Sequence, residues 1–129
     1  MLSEKTLLVV AEEGDLVSLL ATVLRNNGFT VLEAVGAKKA ISICEVATIR
    51  LDLILSDFSM AGTNALELAR RIKCFRGNIP IVVMSSDFSR LEKIAACGFG
   101  FIQKPFSLCD LVDRVKAIAS EQCLIRARF

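Results

Sequence analysis

Short apolar runs alternate with segments of helical periodicity along the 129 residues of the chain. The apolar runs have the length of β-strands, and the run at residues 6–11 shows no polar alternation, which is typical of a parallel strand buried on both faces. The predicted strands are residues 6–11, 30–34, 51–56, 79–84 and 100–103. The predicted helices are residues 15–27, 37–47, a segment capped by Asn64 and ended by Gly77, 89–97 and 107–120.

This strict alternation predicts five βα units in one domain over residues 1–129, with a core at about 5–120 and a short tail made basic by Arg126 and Arg128. Short connections between strands and helices favour a parallel sheet with right-handed crossovers and helices on both faces. We therefore expect an α/β fold of three layers.

The amino-acid composition excludes several classes of protein. The hydrophobic fraction of 53% and the mean hydropathy of +0.55 exclude a disordered chain. No apolar run reaches the roughly 20 residues of a membrane helix, and no signal-peptide core follows Met1, so we expect a cytoplasmic protein without a membrane partner. The net charge of +2 does not predict direct nucleic-acid binding.

Cysteine usage and the absence of histidine exclude several chemistries. The chain has five cysteines without a CxxC pair and no histidine, so it lacks the common zinc spacings and any Ser-His or Cys-His nucleophile pair. Three cysteines fall in predicted helices, one at a helix end and one just after the last helix, which favours reduced, mostly structural thiols. They are Cys44, Cys74, Cys97, Cys109 and Cys123.

Chemically active side chains follow four of the predicted strands. Because parallel strands end at the same edge of a sheet, these residues should converge there. They are Glu12 and Glu13 after the first strand, Asp57 after the third, Ser85 and Ser86 after the fourth, and Lys104 after the fifth.

The set suits a phosphoryl group and a hard cation. Mg²⁺ needs only one or two carboxylates, and Glu12 and Asp57 would be enough. Asp57 could act as a nucleophile that forms an aspartyl phosphate, with Lys104 and Ser85 offsetting the charge on the transferred oxygens. Each residue alone is more typical of a turn, a cap or a solvated surface, and it is their combination at equivalent strand ends that indicates a site.

Three segments resemble the receiver domains of bacterial two-component response regulators. Residues 52–62 are similar to the block around the phospho-accepting aspartate, and residues 79–85 to the strand that ends in Ser or Thr. Residues 101–106 match the aromatic-x-x-Lys-Pro-Phe signature. The resemblance runs from about Lys5 to Ser120.

This resemblance implies a flavodoxin-like, doubly wound (βα)5 fold with strand order 2-1-3-4-5. It implies that Asp57 accepts a phosphoryl group from a histidine kinase or phosphotransfer protein, using Mg²⁺ held by Glu12, Asp57 and the Ser59 carbonyl. Lys104 would contact the phosphoryl group.

Further implications concern the switch that such a domain carries. Ser85 would move toward the phosphoryl group, and Phe101 would change rotamer with it. The change would reach a docking surface for a target protein on the fourth helix, fifth strand and fifth helix. The Lys104-Pro105 bond is expected to be cis.

The sequence departs from the family pattern around the metal site. Ala11 stands where the first of two acids is usual, and Glu12 replaces the second, which is commonly Asp. We expect this to weaken Mg²⁺ binding, with Glu13 a peripheral further ligand.

Other departures lie near the acceptor aspartate and the hydroxyl. Ala61 replaces a usual Pro and Ala65 a usual Gly, and Ser86 stands where Ala or Gly is common. Ser59 and Asp87 occupy the positions that tune phosphoryl lifetime in the family.

Three functions stay open from the sequence. The first is a phosphorylatable signalling switch, which is not an enzyme beyond its own phosphorylation and dephosphorylation. The second is a pseudo-receiver that binds partners without phosphorylation, as Ala11 favours. The third is an aspartate-dependent phosphatase. Dimerisation, and whether the chain acts alone or as part of a longer regulator, also stay open.

Overall fold

The computed structural model describes residues 5–128, with side chains as far as Ser120. Five parallel strands form one sheet in the spatial order β2-β1-β3-β4-β5, as predicted. The strands are β1 (Thr6–Ala11), β2 (Thr30–Val35), β3 (Leu53–Asp57), β4 (Ile81–Ser85) and β5 (Gly100–Gln103).

Five α-helices connect and flank these strands. They are α1 (Gly14–Asn26), α2 (Ala37–Cys44), α3 (Ala65–Arg76), α4 (Leu91–Ala96) and α5 (Leu108–Arg128), with a 3₁₀ turn at Phe88–Arg90 before α4. The side chain of Asn64 accepts a hydrogen bond from the N–H of Glu67, which confirms it as the cap of α3. Within residues 5–128, none of these helices has the length and apolarity to cross a bilayer.

Two helices end elsewhere than the sequence predicts. Helix α2 stops at Cys44 rather than at residue 47. The guanidinium of Arg76 donates hydrogen bonds to the carbonyl oxygens of Cys44, Val46 and Ile49, and these bonds hold the stretch in turns. Helix α5 continues past Ser120 to Arg128 because the added segment contains neither Gly nor Pro.

The sheet separates two apolar cores. Leu7 and Val9 of β1 face one core, which α1 and α5 cover, whereas Leu8 and Val10 face the other, which α2, α3 and α4 cover. All four side chains are fully buried, which confirms a parallel strand enclosed on both faces. Burying each such Leu or Val contributes about 1.5–3 kcal/mol before entropy is counted.

The buried stripe of α1 leaves out Leu19. Val17, Leu20, Ala21 and Leu24 face the sheet, whereas Leu19 is 49% exposed. The buried positions follow the i, i+3, i+4, i+7 spacing of a helix face, and Leu19 lies outside that stripe.

The described cysteines differ in their exposure. The four cysteines with described side chains are all free thiols, but only Cys44 is buried, and burial raises the pKa of its thiol. Cys74, Cys97 and Cys109 are exposed because they lie on the outer faces or ends of their helices. The side chain of Cys123 lies outside the described residues.

A two-stranded antiparallel ribbon after β3 was not predicted. Ser59–Met60 pairs with Thr63–Asn64, and Ala61 and Gly62 form the turn between them. We call residues 59–64 the ribbon. Gly62, the third residue of the turn, has a φ of +74°, and no residue other than glycine has a positive φ within residues 5–128. The φ of Ala61 is therefore not positive, and the two central residues have the sign pattern of a type II turn.

Candidate functional site

A cleft of about 220 Å³ lies at the carboxyl ends of β3, β4 and β5. It contains four residues that the sequence predicted would converge, namely Asp57, Ser85, Ser86 and Lys104, and also Ser59 from the ribbon. The remaining lining residues are Phe58, Met84, Asp87 and Arg90. We call this the Asp57 cleft. Glu12, Glu13 and Phe101 do not line it.

An ion pair joins the acid and the ammonium of the Asp57 cleft. The Nζ atom of Lys104 lies 2.5 Å from Oδ1 of Asp57, and the two side chains are 32% and 15% exposed. The N–H of Lys104 also donates to the carbonyl oxygen of Ser85 at 2.9 Å, which anchors its backbone to β4. The Lys104-Pro105 peptide bond is cis, as expected. The fold thus directs one cation at the carboxylate that the sequence singled out.

The hydroxyl of Ser85 is connected to the loop that follows β4. Its Oγ accepts a hydrogen bond of 3.1 Å from the N–H of Asp87, and the residue is 5% exposed. The carboxylate of Asp87 in turn accepts hydrogen bonds from the hydroxyl and the N–H of Ser89. These bonds, with a smaller contribution from the charge of Arg90, lower the pKa of Asp87. A movement of Ser85 toward Asp57 would therefore release the start of this loop.

Arg90 belongs to the Asp57 cleft and was not predicted to do so. Its guanidinium lies 4.1 Å from the centroid of the Phe58 ring, donates to Oγ of Ser59 at 3.1 Å and pairs with the carboxylate of Asp87 at 3.3 Å. The only sequence signal is the three-residue spacing between Asp87 and Arg90, which is common on any helical turn. Arg90 brings a second cation to the cleft.

Phe101 lies below the surface rather than in the cleft. It is 9% exposed and packs in the core on the α4 side of the sheet. The ring of Phe88 meets it edge to face, with centroids 6.4 Å apart and an angle of 85° between planes, and Phe88 itself is 59% exposed. The predicted relay residue thus contacts the 3₁₀ turn that leads into α4.

The acidic residues after β1 do not line the Asp57 cleft. Oε1 of Glu12 accepts a hydrogen bond of 2.8 Å from the N–H of Ala61 in the ribbon. Glu13 is exposed at the N-cap of α1, where its side chain makes no capping bond. Ala11, at the place of the missing acid, is fully buried. Among the described residues, no group of three or more His, Cys, Asp or Glu side chains is placed to hold a metal ion.

Comparisons with known proteins define the family. Residues 7–116 match the family model for the response regulator receiver domain. The chain belongs to this family. Receiver domains work in two-component signalling with histidine kinases and downstream effectors.

Two relatives illustrate how far the sequence similarity extends. The phosphate regulon transcriptional regulatory protein PhoB of Pseudomonas aeruginosa is 34% identical over 119 residues, which cover 88% of this chain and 51% of that protein. The putative two-component response regulator ARR21 of Arabidopsis thaliana is 34% identical over 105 residues, covering 81% of this chain and 17% of that one. The chain thus spans about half of the first relative and a smaller part of the second.

Solved structures agree with this fold. A CheY-like receiver domain protein from Methanospirillum hungatei superposes with a TM-score of 0.82 at 20% identity, over 93% of this chain and 97% of that one. The receiver domain of the hybrid histidine kinase CckA gives a TM-score of 0.70 at 29% identity, over 86% of this chain and 96% of that one. The flavodoxin-like architecture expected from the sequence is confirmed.

Proposed function

We propose that this receiver domain is a phosphorylatable switch with Asp57 as its acceptor. The observation that carries the proposal is the ion pair between Lys104 and Asp57 in a cleft that also holds the Ser85 hydroxyl. In the reaction, a carboxylate oxygen of Asp57 attacks the phosphorus of a partner's phosphohistidine. The new P–O bond forms as the P–N bond breaks, and the imidazole keeps the electron pair and takes up a proton.

The two cations of the cleft suit the charge that the reaction brings. Phosphorylation replaces the single charge of the Asp57 carboxylate by the nearly double charge of a phosphoryl group. Lys104 already contacts the carboxylate, and Arg90 lines the same cleft. Fixed positive groups around the developing charge lower the barrier without reorganising during the reaction.

Mg²⁺ is the cofactor that the donor chemistry of this edge fits. Carboxylate and carbonyl oxygens are its preferred ligands, and Asp57, Glu12 and the Ser59 carbonyl would hold it, with Glu13 as a peripheral donor. When bound, the ion would neutralise charge on the phosphoryl oxygens. We expect weak affinity because Ala11 contributes no carboxylate and Glu12 is engaged by Ala61.

The output proposed for the switch is a change of protein-docking surface. If the Ser85 hydroxyl contacts the phosphoryl group, it would lose its hydrogen bond from the N–H of Asp87. The loop that begins at Asp87 leads through Phe88 to α4. Phe101 would follow, since it packs against Phe88. The surface affected is that of α4, β5 and α5, where a target protein rather than nucleic acid would dock. No turnover of a separate substrate is proposed.

Labelling with a small phosphodonor tests the proposal. Incubation with acetyl phosphate and Mg²⁺, followed by intact-mass measurement, should add one phosphoryl group to the wild type and none to Asp57→Asn. Asp113→Asn is a matched control, because Asp113 is an exposed carboxylate on α5 and should leave labelling unchanged. An unlabelled wild type, under conditions that label a control receiver, would refute the proposal.

The pseudo-receiver is the second candidate, and the bond between Glu12 and Ala61 favours it. In that case neither Mg²⁺ nor phosphodonor would change the protein. Mg²⁺ binding at millimolar concentration that is lost in Asp57→Asn would argue for the switch instead. The phosphatase has least support, since Ala11-Glu12-Glu13 stands where such enzymes carry Asp-x-Asp after the first strand. Turnover of a generic phosphate ester would be needed to revive it.

A further inference from the structure

Two departures from the family pattern meet in space. Glu12 replaces an aspartate and Ala61 replaces a proline, and they lie 49 positions apart in the chain. Yet the N–H of Ala61 donates to Oε1 of Glu12 at 2.8 Å. A proline at position 61 has no N–H and would leave the carboxylate without this donor.

The turn of the ribbon explains why the N–H of Ala61 is available. Ala61 and Gly62 are the two central residues of the β-turn between Met60 and Thr63. Such a turn uses the carbonyl of its first residue and the N–H of its fourth, so the N–H of the second residue points away from the turn's own bond. Proline is common at the second position of turns with this sign pattern.

The surroundings of Glu12 offer its carboxylate little else. Among the side chains described, as far as Ser120, no Lys or Arg forms an ion pair with it, and the Ala61 N–H is the hydrogen-bond donor that it has there. On its other side, a Cβ added to Gly36 would lie 3.9 Å from Oε1. The carboxylate therefore lies between the turn after β2 and the ribbon.

We propose that the peptide N–H of Ala61 competes with a divalent cation for the carboxylate of Glu12. In the cation-free protein this N–H holds Glu12 against the ribbon. Binding of the cation beside Asp57 exchanges this hydrogen bond for a metal–oxygen contact and frees the turn at Ala61 and Gly62. The inference rests on the proposed Mg²⁺ site but not on phosphorylation of Asp57. Ala61 is thus a positioning residue that weakens cation affinity.

A pair of substitutions at position 61 isolates the N–H. Ala61→Pro removes it in a turn that accepts proline, while Ala61→Gly keeps it and removes only the Cβ. Calorimetric titration with Mg²⁺ alone should show about threefold to tenfold tighter binding for Ala61→Pro than for the wild type, the range that one net hydrogen bond allows. Ala61→Gly should bind like the wild type.

The charge of Glu12 supplies the second arm of the experiment. Glu12→Gln keeps an oxygen that can accept from Ala61 but removes the anion, so it should weaken Mg²⁺ binding. When Glu12→Gln is already present, adding Ala61→Pro should tighten Mg²⁺ binding by at most a small fraction of what it does in the wild type. Equal or weaker Mg²⁺ binding by a folded Ala61→Pro protein, or no binding by either protein, would overturn the inference.

The amide of Ala61 itself gives a readout that does not depend on the folding of any variant at position 61. In the NMR spectrum of the Mg²⁺-free wild type, its proton should resonate downfield and exchange slowly, and Mg²⁺ should reverse both. Glu12→Ala should reproduce the reversed values without Mg²⁺. If neither Mg²⁺ nor Glu12→Ala changes the chemical shift and exchange rate of this amide, the proposal is contradicted. If Ala61→Pro binds Mg²⁺ more tightly but the wild type is not labelled by the phosphodonor, this inference stands and the proposed switch is refuted.

Discussion

At the scale of single residues, side chains at the same sheet edge are held in different ways. Asp57 pairs with Lys104, whereas Glu12 pairs with a backbone N–H of the ribbon. Ser85 is bonded to the backbone of its own loop. Any ligand that enters the Asp57 cleft must therefore exchange with partners that are already in place.

The four described cysteines should differ sharply in reactivity. Burial raises the pKa of Cys44, whereas Cys74, Cys97 and Cys109 are exposed. Because the thiolate is the reactive form, iodoacetamide at mildly alkaline pH should modify the three exposed cysteines and spare Cys44 in the folded protein. Peptide mapping by mass spectrometry measures each site, with urea-unfolded protein as the control.

The raised pKa of Cys44 also has a consequence for stability. A thiol whose folded pKa exceeds its unfolded pKa contributes stability that is complete below the unfolded value and is lost as the pH rises through the folded one. Stability should therefore decline in the alkaline range, and Cys44→Ala should reduce that decline. Modification of native Cys44 as fast as Cys97 would contradict the burial on which both expectations depend.

At the scale of elements, the connection between α2 and β3 depends on one side chain of α3. Arg76 donates three hydrogen bonds to carbonyl oxygens, at 3.0 Å to Cys44, 2.7 Å to Val46 and 2.6 Å to Ile49. A guanidinium satisfies several carbonyls at once because its donors lie in one rigid plane. The connection thus has a fixed shape without regular secondary structure.

Loss of these bonds should destabilise the fold measurably. We expect Arg76→Ala to lower the free energy of unfolding by about 1–3 kcal/mol, since three acceptors lose a charged donor and water replaces it only in part. Urea denaturation followed by circular dichroism measures the change. Arg71→Ala is the control, because Arg71 is exposed on the same helix and should alter stability by less than about 0.5 kcal/mol. Equal effects of the two substitutions would refute this role.

Element types could be predicted from sequence better than element ends or short ribbons. Strands β1, β3 and β4 are runs of mostly apolar, buried residues, which the local sequence pattern reveals. The end of α2 depends on Arg76, which lies more than 25 residues away along the chain. The ribbon has only two residues per strand, too few to show an alternating pattern.

At the scale of the whole molecule, α5 closes against the sheet at Gly100. A Cβ on this residue would lie 2.8 Å from Cδ1 of Ile118 and 3.3 Å from Cγ2 of Val82. A Cβ contact of 2.8 Å does not occur in real structures, so a side chain at position 100 must displace the end of the Ile118 side chain. Close approach, rather than backbone conformation, favours glycine here.

Gly100→Ala should therefore lower stability by about 1–2 kcal/mol through overpacking. Ile118→Val removes the clashing Cδ1 atom, so the double variant should recover part of that loss, although Ile118→Val alone costs about 0.5–1.5 kcal/mol. Thermal or urea unfolding of the four proteins gives the interaction energy. If the changes in the free energy of unfolding caused by Gly100→Ala and Ile118→Val are strictly additive, the new Cβ does not contact Ile118.

The candidate site was predictable to the extent that sheet topology determines it. Asp57, Ser85 and Lys104 each follow a strand, and parallel strands end at one edge, so their convergence follows from local patterns. The strand order itself came from family resemblance. Arg90 and the bond between Glu12 and Ala61 could not be predicted, because they depend on loop conformations that no local pattern encodes.

The ribbon limits which loops can be transplanted between receiver domains in chimeric proteins. Within six residues it receives Arg90 at Ser59 and Glu12 at Ala61, so the loops after β1 and β4 are both fitted to it. A chimera that transplants the loop after β1 into a proline-bearing host would lose the donor that Glu12 needs. Grafts should therefore carry the loop and the ribbon together, and substitutions at these positions are expected to have evolved as a group.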